Sequence, residues 1–157
     1  MDIETRIREY LAGPDLVRRA VAGMTREQLL ARPVPGRWST MEVVCHLADF
    51  EPIFADRIKR AIAEDRPTIL AANHDLFVQR LAYHERDLEE ELSIIEWTRR
   101  QLARILRTLK PGDFQRIAIH SQAGPRTVEQ LLQTAINHIP HHVRFIEEKR
   151  RALGLPV

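Results

Sequence analysis

Apolar residues recur along this chain at the three- and four-residue spacing that is typical of amphipathic helices. The spacing predicts long helices at residues 40–64, 79–109 and 128–152. It also predicts an N-terminal helical segment at residues 2–12 and 15–23, with a break or kink at Gly13-Pro14. Glycines are few and runs of β-branched residues are short, so a large sheet is not expected. The pattern therefore predicts an all-α protein.

Three of the predicted helix starts carry a capping box, in which a Ser or Thr is followed three residues later by Glu or Gln. These pairs are Thr25 with Gln28, Ser39 with Glu42, and Thr127 with Gln130. In each pair, the two side chains are expected to bond the free backbone N–H groups of the first turn. The boxes therefore predict a short helical turn after Thr25 and starts for the second and last long helices.

The third long helix carries a heptad pattern that indicates a helix bundle. Leucine or isoleucine stands at every seventh position, at Leu81, Leu88, Ile95, Leu102 and Leu109. Glu85 and Arg99 occupy two of the four offset positions, so the pattern is too incomplete for a long coiled coil. Four substantial helices joined by loops of several residues predict a four-helix bundle, with one domain over residues 1–157.

The two stretches between the later helices show weaker patterns. Residues 65–78 are predicted to be a long connection with room for one helical turn. The stretch RIAIHSQAGPRTV alternates apolar and polar residues before and around a Gly-Pro pair. It predicts either a short hairpin or an irregular loop before the last helix.

The composition limits the class of protein and its partners. The 157 residues are 44% hydrophobic and 29% charged, as in an ordinary globular protein. The net charge of +2 is spread among acidic residues, so neither it nor the pI of about 9.0 predicts a nucleic-acid partner. No stretch approaches the about 20 apolar residues of a membrane span, and no signal peptide is recognisable. With one cysteine, Cys45, no disulfide is expected, and we predict a cytoplasmic protein.

Three histidines fall within five residues of the last predicted helix, at His138, His141 and His142. Each helical residue turns the chain by about 100°, so His138 and His142 lie on one face, one turn apart. That face borders the apolar stripe of the helix, whereas His141 lies about 60° to the other side of His138. The arithmetic therefore predicts that His138 and His142 face the bundle interior and that His141 faces solvent.

His46 on the second long helix is the predicted third member of this group. It lies at the border of the apolar stripe, about 60° from Val43 and about 40° from Phe50. One histidine from one helix and a pair from another can converge on one point in a bundle. Three imidazoles with an open fourth position suit Zn²⁺, with Ni²⁺ or Fe²⁺ as alternatives. The competing interpretation is that of hydrogen-bonded core histidines without a metal.

Two stretches of the chain resemble the signature of the DinB-like superfamily. RPVPGRWSTMEVVCHLADFE has a Trp-Ser helix start before a His-Leu-x-Asp segment, and RIAIHSQAGPRTVEQLLQTAINHIPHHVRFI ends in an H-x-x-x-H helix. The resemblance covers nearly the whole chain. It implies a four-helix bundle whose three histidines bind a divalent metal, and by position these are His46, His138 and His142.

The resemblance also implies an activity. Members of the superfamily include S-transferases that use low-molecular-weight thiols and a thiol-dependent maleylpyruvate isomerase. We therefore expect a thiol-dependent S-transferase or a related transferase or hydrolase with a small-molecule substrate, and the resemblance is compatible with a homodimer. The alternative is a metal-binding or interaction module without turnover.

Many relatives carry an acid after the first histidine of the last helix, where this chain has Ile139 and then Pro140.

Two further residues are candidates for the site. Asp49, one turn after His46, is the candidate catalytic residue, either as a general base or as a hydrogen-bond acceptor for a ligand imidazole. A plain surface aspartate is the simpler alternative. His120 lies in the segment that resembles the family and is a candidate for the mouth of the pocket, as opposed to an ordinary polar residue.

The remaining notable side chains have simpler interpretations. His74 and His84 are predicted to be solvated or to cap helices. Cys45 is turned about 100° from His46 and is predicted to be a small packing residue. Trp38 is predicted to cover the start of the second long helix, and Trp97, off the heptad stripe, to lie at a dimer interface.

Overall fold

The computed structural model describes residues 2–157 and is mostly helical, with a small three-stranded sheet. The helices are α1 (Ile3–Val21), α2 (Arg26–Leu30), α3 (Thr40–Ala63), α4 (His74–Arg80), α5 (Leu88–Leu106) and α6 (Val128–Ala152). The strands are β1 (Thr68–Ile69), β2 (Ile117–His120) and β3 (Gly124–Thr127), and short 3₁₀ turns cover Tyr83–Glu85 and Pro111–Gln115. In residues 2–157, no helix combines the length and the apolar character needed to cross a membrane.

The four long helices, α1, α3, α5 and α6, form the predicted four-helix bundle. Helices α1 and α3 each pack against both α5 and α6. The three predicted capping boxes are confirmed, with the side chains of Thr25, Ser39 and Thr127 at the starts of α2, α3 and α6. A cap of this kind stabilises a helix by about 1 kcal/mol, which fixes where each of these helices begins.

Of the two alternatives predicted at Gly13-Pro14, the break is wrong, because α1 is one continuous helix, and the kink stays a prediction. Pro14 has no N–H to bond the carbonyl of Tyr10, four residues earlier. The guanidinium of Arg99 on α5 donates to that carbonyl instead, with an Nη1 to O distance of 2.7 Å. A contact between two helices therefore supplies the hydrogen bond that the proline removes.

The helix predicted at residues 79–109 is also wrong at its start, since α5 begins only at Leu88. Ala82 has a left-handed backbone with φ of 51°, and it separates α4 from the 3₁₀ turn that follows. Asp87 caps α5, and Leu81, the first residue of the heptad pattern, is exposed. The apolar spacing continues by coincidence through the turn at Ala82 and Tyr83–Glu85. Periodicity alone therefore does not reveal where α5 begins.

The small sheet resolves both of the weaker patterns. Strands β2 and β3 form an antiparallel hairpin, which confirms the hairpin alternative. The connection at residues 65–78 contains β1, which pairs in parallel with β2, and the start of α4. Strand β2 packs against α3, and β3 leads directly into α6. The sheet therefore brings His120 to the α3–α6 side of the bundle.

A fully buried ion pair lies inside the bundle. The side chains of Arg99 on α5 and Glu51 on α3 are both inaccessible to solvent and hydrogen-bonded to each other. The same guanidinium donates to the carbonyls of Tyr10 on α1 and Ala135 on α6, both at 2.7 Å. Gly13 leaves the space for it, because a Cβ atom there would lie 2.2 Å from Nη1 of Arg99. One side chain thus bonds the other three long helices.

We predict that Arg99→Met lowers the free energy of unfolding by about 3–5 kcal/mol, because Glu51 would remain buried without its partner. Urea denaturation measures the change. The matched control is Arg100→Met, at an exposed position paired with Glu96, which should change the value by less than about 0.5 kcal/mol. An Arg99→Met variant as stable as the wild type would contradict this role.

Candidate metal centre

His46 of α3 and His138 and His142 of α6 meet between the two helices. One ring nitrogen from each residue lies within 4.8 Å of the others. Nε2 of His46 is 3.0 Å from Nε2 of His138. Two nitrogens bound to one tetrahedral Zn²⁺, at about 2.0–2.1 Å each, stand about 3.3 Å apart, so the observed separation is close to that of two ligands. The structure thus brings together the three histidines that the sequence grouped.

The helices account for the placement of these side chains. His46 is buried on α3, while His138 and His142 stand one turn apart on α6 and are half-buried. His141 is exposed, and its Nδ1 lies 3.1 Å from Nη2 of Arg144. The predicted split of the local histidine run is therefore confirmed: two members face α3 and one faces solvent.

The three imidazoles are held in their neutral form. Burial is the largest cause, and it lowers the pKa of His46 to about 3 and that of His142 to about 4. The pKa of His138 is lowered even further, first by burial and then by the neighbouring His142 and His46. Neutral imidazole is the form that offers a lone pair to a metal. The donor set therefore fits a cation: three nitrogens meet, and among residues 2–157 no carboxylate is part of the cluster.

Aromatic rings form the walls of the site. The ring centroid of Phe50 is 4.5 Å from that of His46, Phe54 is 5.0 Å from His138, and Phe145 is 5.7 Å from His142. Within the described chain, the buried Nδ1 atoms of all three histidines have no hydrogen-bond partner. Packing against aromatic rings, rather than hydrogen bonding through Nδ1, therefore orients the imidazoles.

His74 lies nearer to this site than the sequence indicated. It is exposed at the start of α4, as predicted, but its ring centroid is 5.9 Å from those of both His46 and Trp38. The start of α4 lies in the connection at residues 65–78, which showed no clear periodic pattern, so the position of His74 depends on tertiary packing. His84 lies elsewhere, with Nε2 3.0 Å from the Oγ of Ser39, the residue that caps α3.

Asp49 is engaged in a separate polar network. Its carboxylate accepts hydrogen bonds from the hydroxyl of Tyr83 at 2.9 Å and from both Nη atoms of Arg86, at 2.7 and 3.0 Å. It does not act as the predicted acceptor for a ligand imidazole, because the Nδ1 atoms are unpartnered. A catalytic role for Asp49 as a general base stays a prediction. Cys45 is buried, as expected of a packing residue, and burial raises its pKa to about 12.

A cavity of about 210 Å³ opens beside His142. Its wall includes Arg37, Trp38, Val43, His142, Phe145 and Lys149. Trp38 therefore lines a cavity next to the histidines in addition to preceding the start of α3. Lys149 is buried, its ammonium donates to the carbonyl of Phe145 at 3.1 Å, and burial lowers its pKa. The cavity thus joins apolar walls to one buried cation.

His120 lines a second cavity, of about 250 Å³, near the β2–β3 hairpin. None of the three clustered histidines lines this cavity, although Phe54, which packs against His138, does. The Nδ1 atom of His120 accepts hydrogen bonds from the backbone N–H groups of Gln122 and Ala123, both at 3.2 Å. His120 therefore lines a cavity wall, but not that of the cavity beside His142, and its predicted role at the mouth of the pocket stays a prediction.

The chain belongs to the DinB superfamily, whose family model matches residues 9–146. Among its curated relatives are two proteins named as proposed metal-dependent hydrolases. One, from Geobacillus thermodenitrificans, is 30% identical over 155 residues, an alignment that covers 94% of this chain and 86% of the relative. The other, from Oceanobacillus iheyensis, is 29% identical and covers 85% of this chain and 77% of the relative.

Two solved structures share the fold. YfiT from Bacillus subtilis, described as a proposed metal-dependent hydrolase with an unusual four-helix bundle topology, matches with a TM-score of 0.91 and 26% identity over 98% of this chain and 88% of its own. A mycothiol-dependent maleylpyruvate isomerase matches with a TM-score of 0.72 over 92% of this chain and 60% of its own. At 10% identity, the second match establishes a common fold alone.

We predict that the metal-depleted protein loses stability as the pH falls from 7 towards 4. Histidine in an unfolded chain has a pKa of about 6.5, so in this range the unfolded state binds more protons than the folded state. The His138→Gln and His142→Gln variants should therefore show a shallower pH dependence in urea denaturation. His141→Gln supplies the control, because it removes an exposed imidazole and should change the slope less than either of the other two variants does. Equal slopes in all variants would contradict the neutral cluster.

Proposed function

We propose that this protein is a divalent-metal-dependent enzyme that acts on a small molecule, with His46, His138 and His142 as the metal ligands. The observation that carries this proposal is the convergence of three neutral imidazoles from two helices. The names of the relatives from Geobacillus thermodenitrificans and Bacillus subtilis, which also refer to metal dependence, support it.

The donor set favours Zn²⁺ or Ni²⁺, with Fe²⁺ as the alternative. Three neutral ligands leave the full charge of a divalent ion uncompensated, and they leave a coordination position open. An ion held by these three residues would supply Lewis acidity, which would lower the pKa of a thiol or a water molecule bound beside His142. The aromatic walls exclude bulk water and thereby strengthen electrostatic interactions within the site.

For the reaction we propose thiol-dependent S-transfer or a related transfer or hydrolysis. The fold shared with a mycothiol-dependent isomerase supports the involvement of a low-molecular-weight thiol. The cavity beside His142 has room for a small molecule, and Trp38 and Phe145 offer it apolar contact. Lys149 adds a positive charge at the wall of the same cavity, which would attract an anionic substrate or thiolate.

The second candidate is a metal-binding or interaction module without turnover. The environment of Asp49 favours it, because both carboxylate oxygens already accept hydrogen bonds from Tyr83 or Arg86. A cytoplasmic location, a homodimer and a single domain over residues 1–157 also stay predictions. Trp97 suits the predicted dimer interface, since 64% of its surface is exposed on α5.

Metal analysis of the purified protein tests the ligand assignment. We expect near-stoichiometric divalent metal in the wild type and its loss in His46→Ala, His138→Ala and His142→Ala, because each variant removes one of three ligands. His141→Ala is the matched control from the same helix and should keep the metal. Near-stoichiometric metal that persists in both His138→Ala and His142→Ala would overturn the assignment.

Conjugation of thiols to an electrophile separates an enzyme from a passive metal-binding module. We expect the metal-loaded protein to accelerate conjugation above the free-thiol background, and chelation or His142→Ala to abolish the acceleration, because the reacting thiol then loses its activating ion. The rate of thiol consumption is the measurement. No rate above background, with several different thiols, would support the module without turnover.

A further inference from the structure

The cavity near the hairpin has a chemical character of its own. Its wall includes Phe54 and Arg57 of α3, His120 of β2, Arg126 of β3, and Leu131 and Thr134 of α6. Of the described residues that line it, none is acidic. The apolar side chains and the nitrogen donors thus share one partly open cavity, whose lining has no carboxylate to balance the two arginines.

Arg57 is a buried cation whose hydrogen-bonding capacity is mostly unused. Only 8% of its surface is exposed, and Nη2 donates to the carbonyl of Leu70 at 2.5 Å. Within residues 2–157, its buried Nε has no partner. The adjacent Asp56 is bonded to Arg60, at 2.8 Å. A buried guanidinium without a carboxylate is destabilising, so its place in a cavity wall indicates a ligand that brings the missing charge.

The tautomer of His120 gives the cavity a further donor. Its Nδ1 accepts two backbone N–H groups, so in the neutral ring the proton resides on Nε2, which is then a donor. Burial, followed by the positive charges of Arg57 and Arg126, lowers the pKa of His120 and favours this neutral form. Both arginines therefore act electrostatically on the same imidazole. The three side chains offer N–H groups and no acceptor, which is the pattern of an anion site.

The cavity lies next to the histidine cluster along the groove between α3 and α6. Phe54 lines the cavity and packs against the ring of His138. Thr134, also in the wall, is four residues before His138 and thus one turn away on α6. The ring of Phe54 is therefore a wall that the cavity and the histidine cluster share.

We propose that Arg57, His120 and Arg126 bind an oxyanion, either a carboxylate or a phosphate monoester, on the small molecule that reacts at the histidine cluster. The reaction of this molecule at the histidine cluster rests on the proposed function, whereas the binding of an anion in the cavity does not. Phe54 and Leu131 contact the apolar body next to the anionic group. The volume of about 250 Å³ suits one end of a ligand, since cavities for whole drug-sized ligands measure about 300–1,000 Å³.

Calorimetric titration with benzoate, phenyl phosphate and benzamide tests the anion site. The three probes share one ring and differ in the group that the donors would bind. We expect benzoate or phenyl phosphate to bind at least about tenfold more tightly than benzamide, the ratio that one hydrogen bond between charged groups provides. The tighter anion identifies the group. Titrations of the purified protein and of chelator-treated protein should agree, because the site does not use the metal.

Three variants locate the binding. Arg57→Met and Arg126→Met should each remove most of the preference for the anion, and His120→Asn should reduce it while keeping an acceptor for the turn. Arg60→Met is the matched control, at an exposed position one turn along α3, and should bind as the wild type does. Arg126 is half-buried at the cavity wall, so Arg126→Met keeps the test valid should Arg57→Met not fold.

The outcomes separate this inference from the proposed function. Anion binding that needs the arginines and survives chelation supports the site, even where thiol conjugation is absent. The inference is overturned by a wild type that does not prefer either anion to benzamide. It is equally overturned by a preference that persists in both arginine variants or that disappears with the metal alone.

Discussion

The hydrogen bonds of one buried guanidinium set the spacing of the whole bundle. Arg99 reaches Tyr10, Glu51 and Ala135, and so it connects α5 with each of the other long helices. Two of these helices, α3 and α6, carry the clustered histidines. Glu51 follows His46 by five residues, and Ala135 precedes His138 by three. The same contact that closes the core therefore sets how far apart the candidate ligands stand.

Charge is arranged in opposite ways in the two polar parts of the interior. The guanidinium in the core is matched by the carboxylate of Glu51, and the pair is sealed from water. The histidine cluster has no acid, and burial keeps its rings uncharged. In the part of the chain that the structure describes, Lys149 and Arg57, in the walls of the two cavities, donate to backbone carbonyls rather than to carboxylates. The core pair thus serves the architecture, whereas the unmatched groups leave positive potential where a ligand can use it.

Local patterns predicted the parts of the structure that depend on local geometry. The capping boxes fixed the starts of α3 and α6, and the 100° turn per residue separated His142 from His141. The start of α5 was misplaced because the left-handed Ala82 interrupts a spacing that continues around it. The roles of Arg99 and His74 were not predictable, since they depend on contacts with other elements. An arginine at a heptad position gives no signal that distinguishes a solvated residue from one buried against three helices.

The hydrogen bond between Arg99 and Tyr10 ties the side chain on α5 to Pro14 on α1. The carbonyl of Tyr10 lacks its usual helical donor because Pro14 has no N–H. The guanidinium of Arg99 supplies the hydrogen bond instead. An alanine at position 14 would offer its own N–H to this carbonyl and compete with the guanidinium. An apolar residue at position 99 would leave the carbonyl without a donor. Positions 14 and 99 are therefore expected to change together as the sequence evolves. Each restricts which residues the other can accept, although 85 positions separate them.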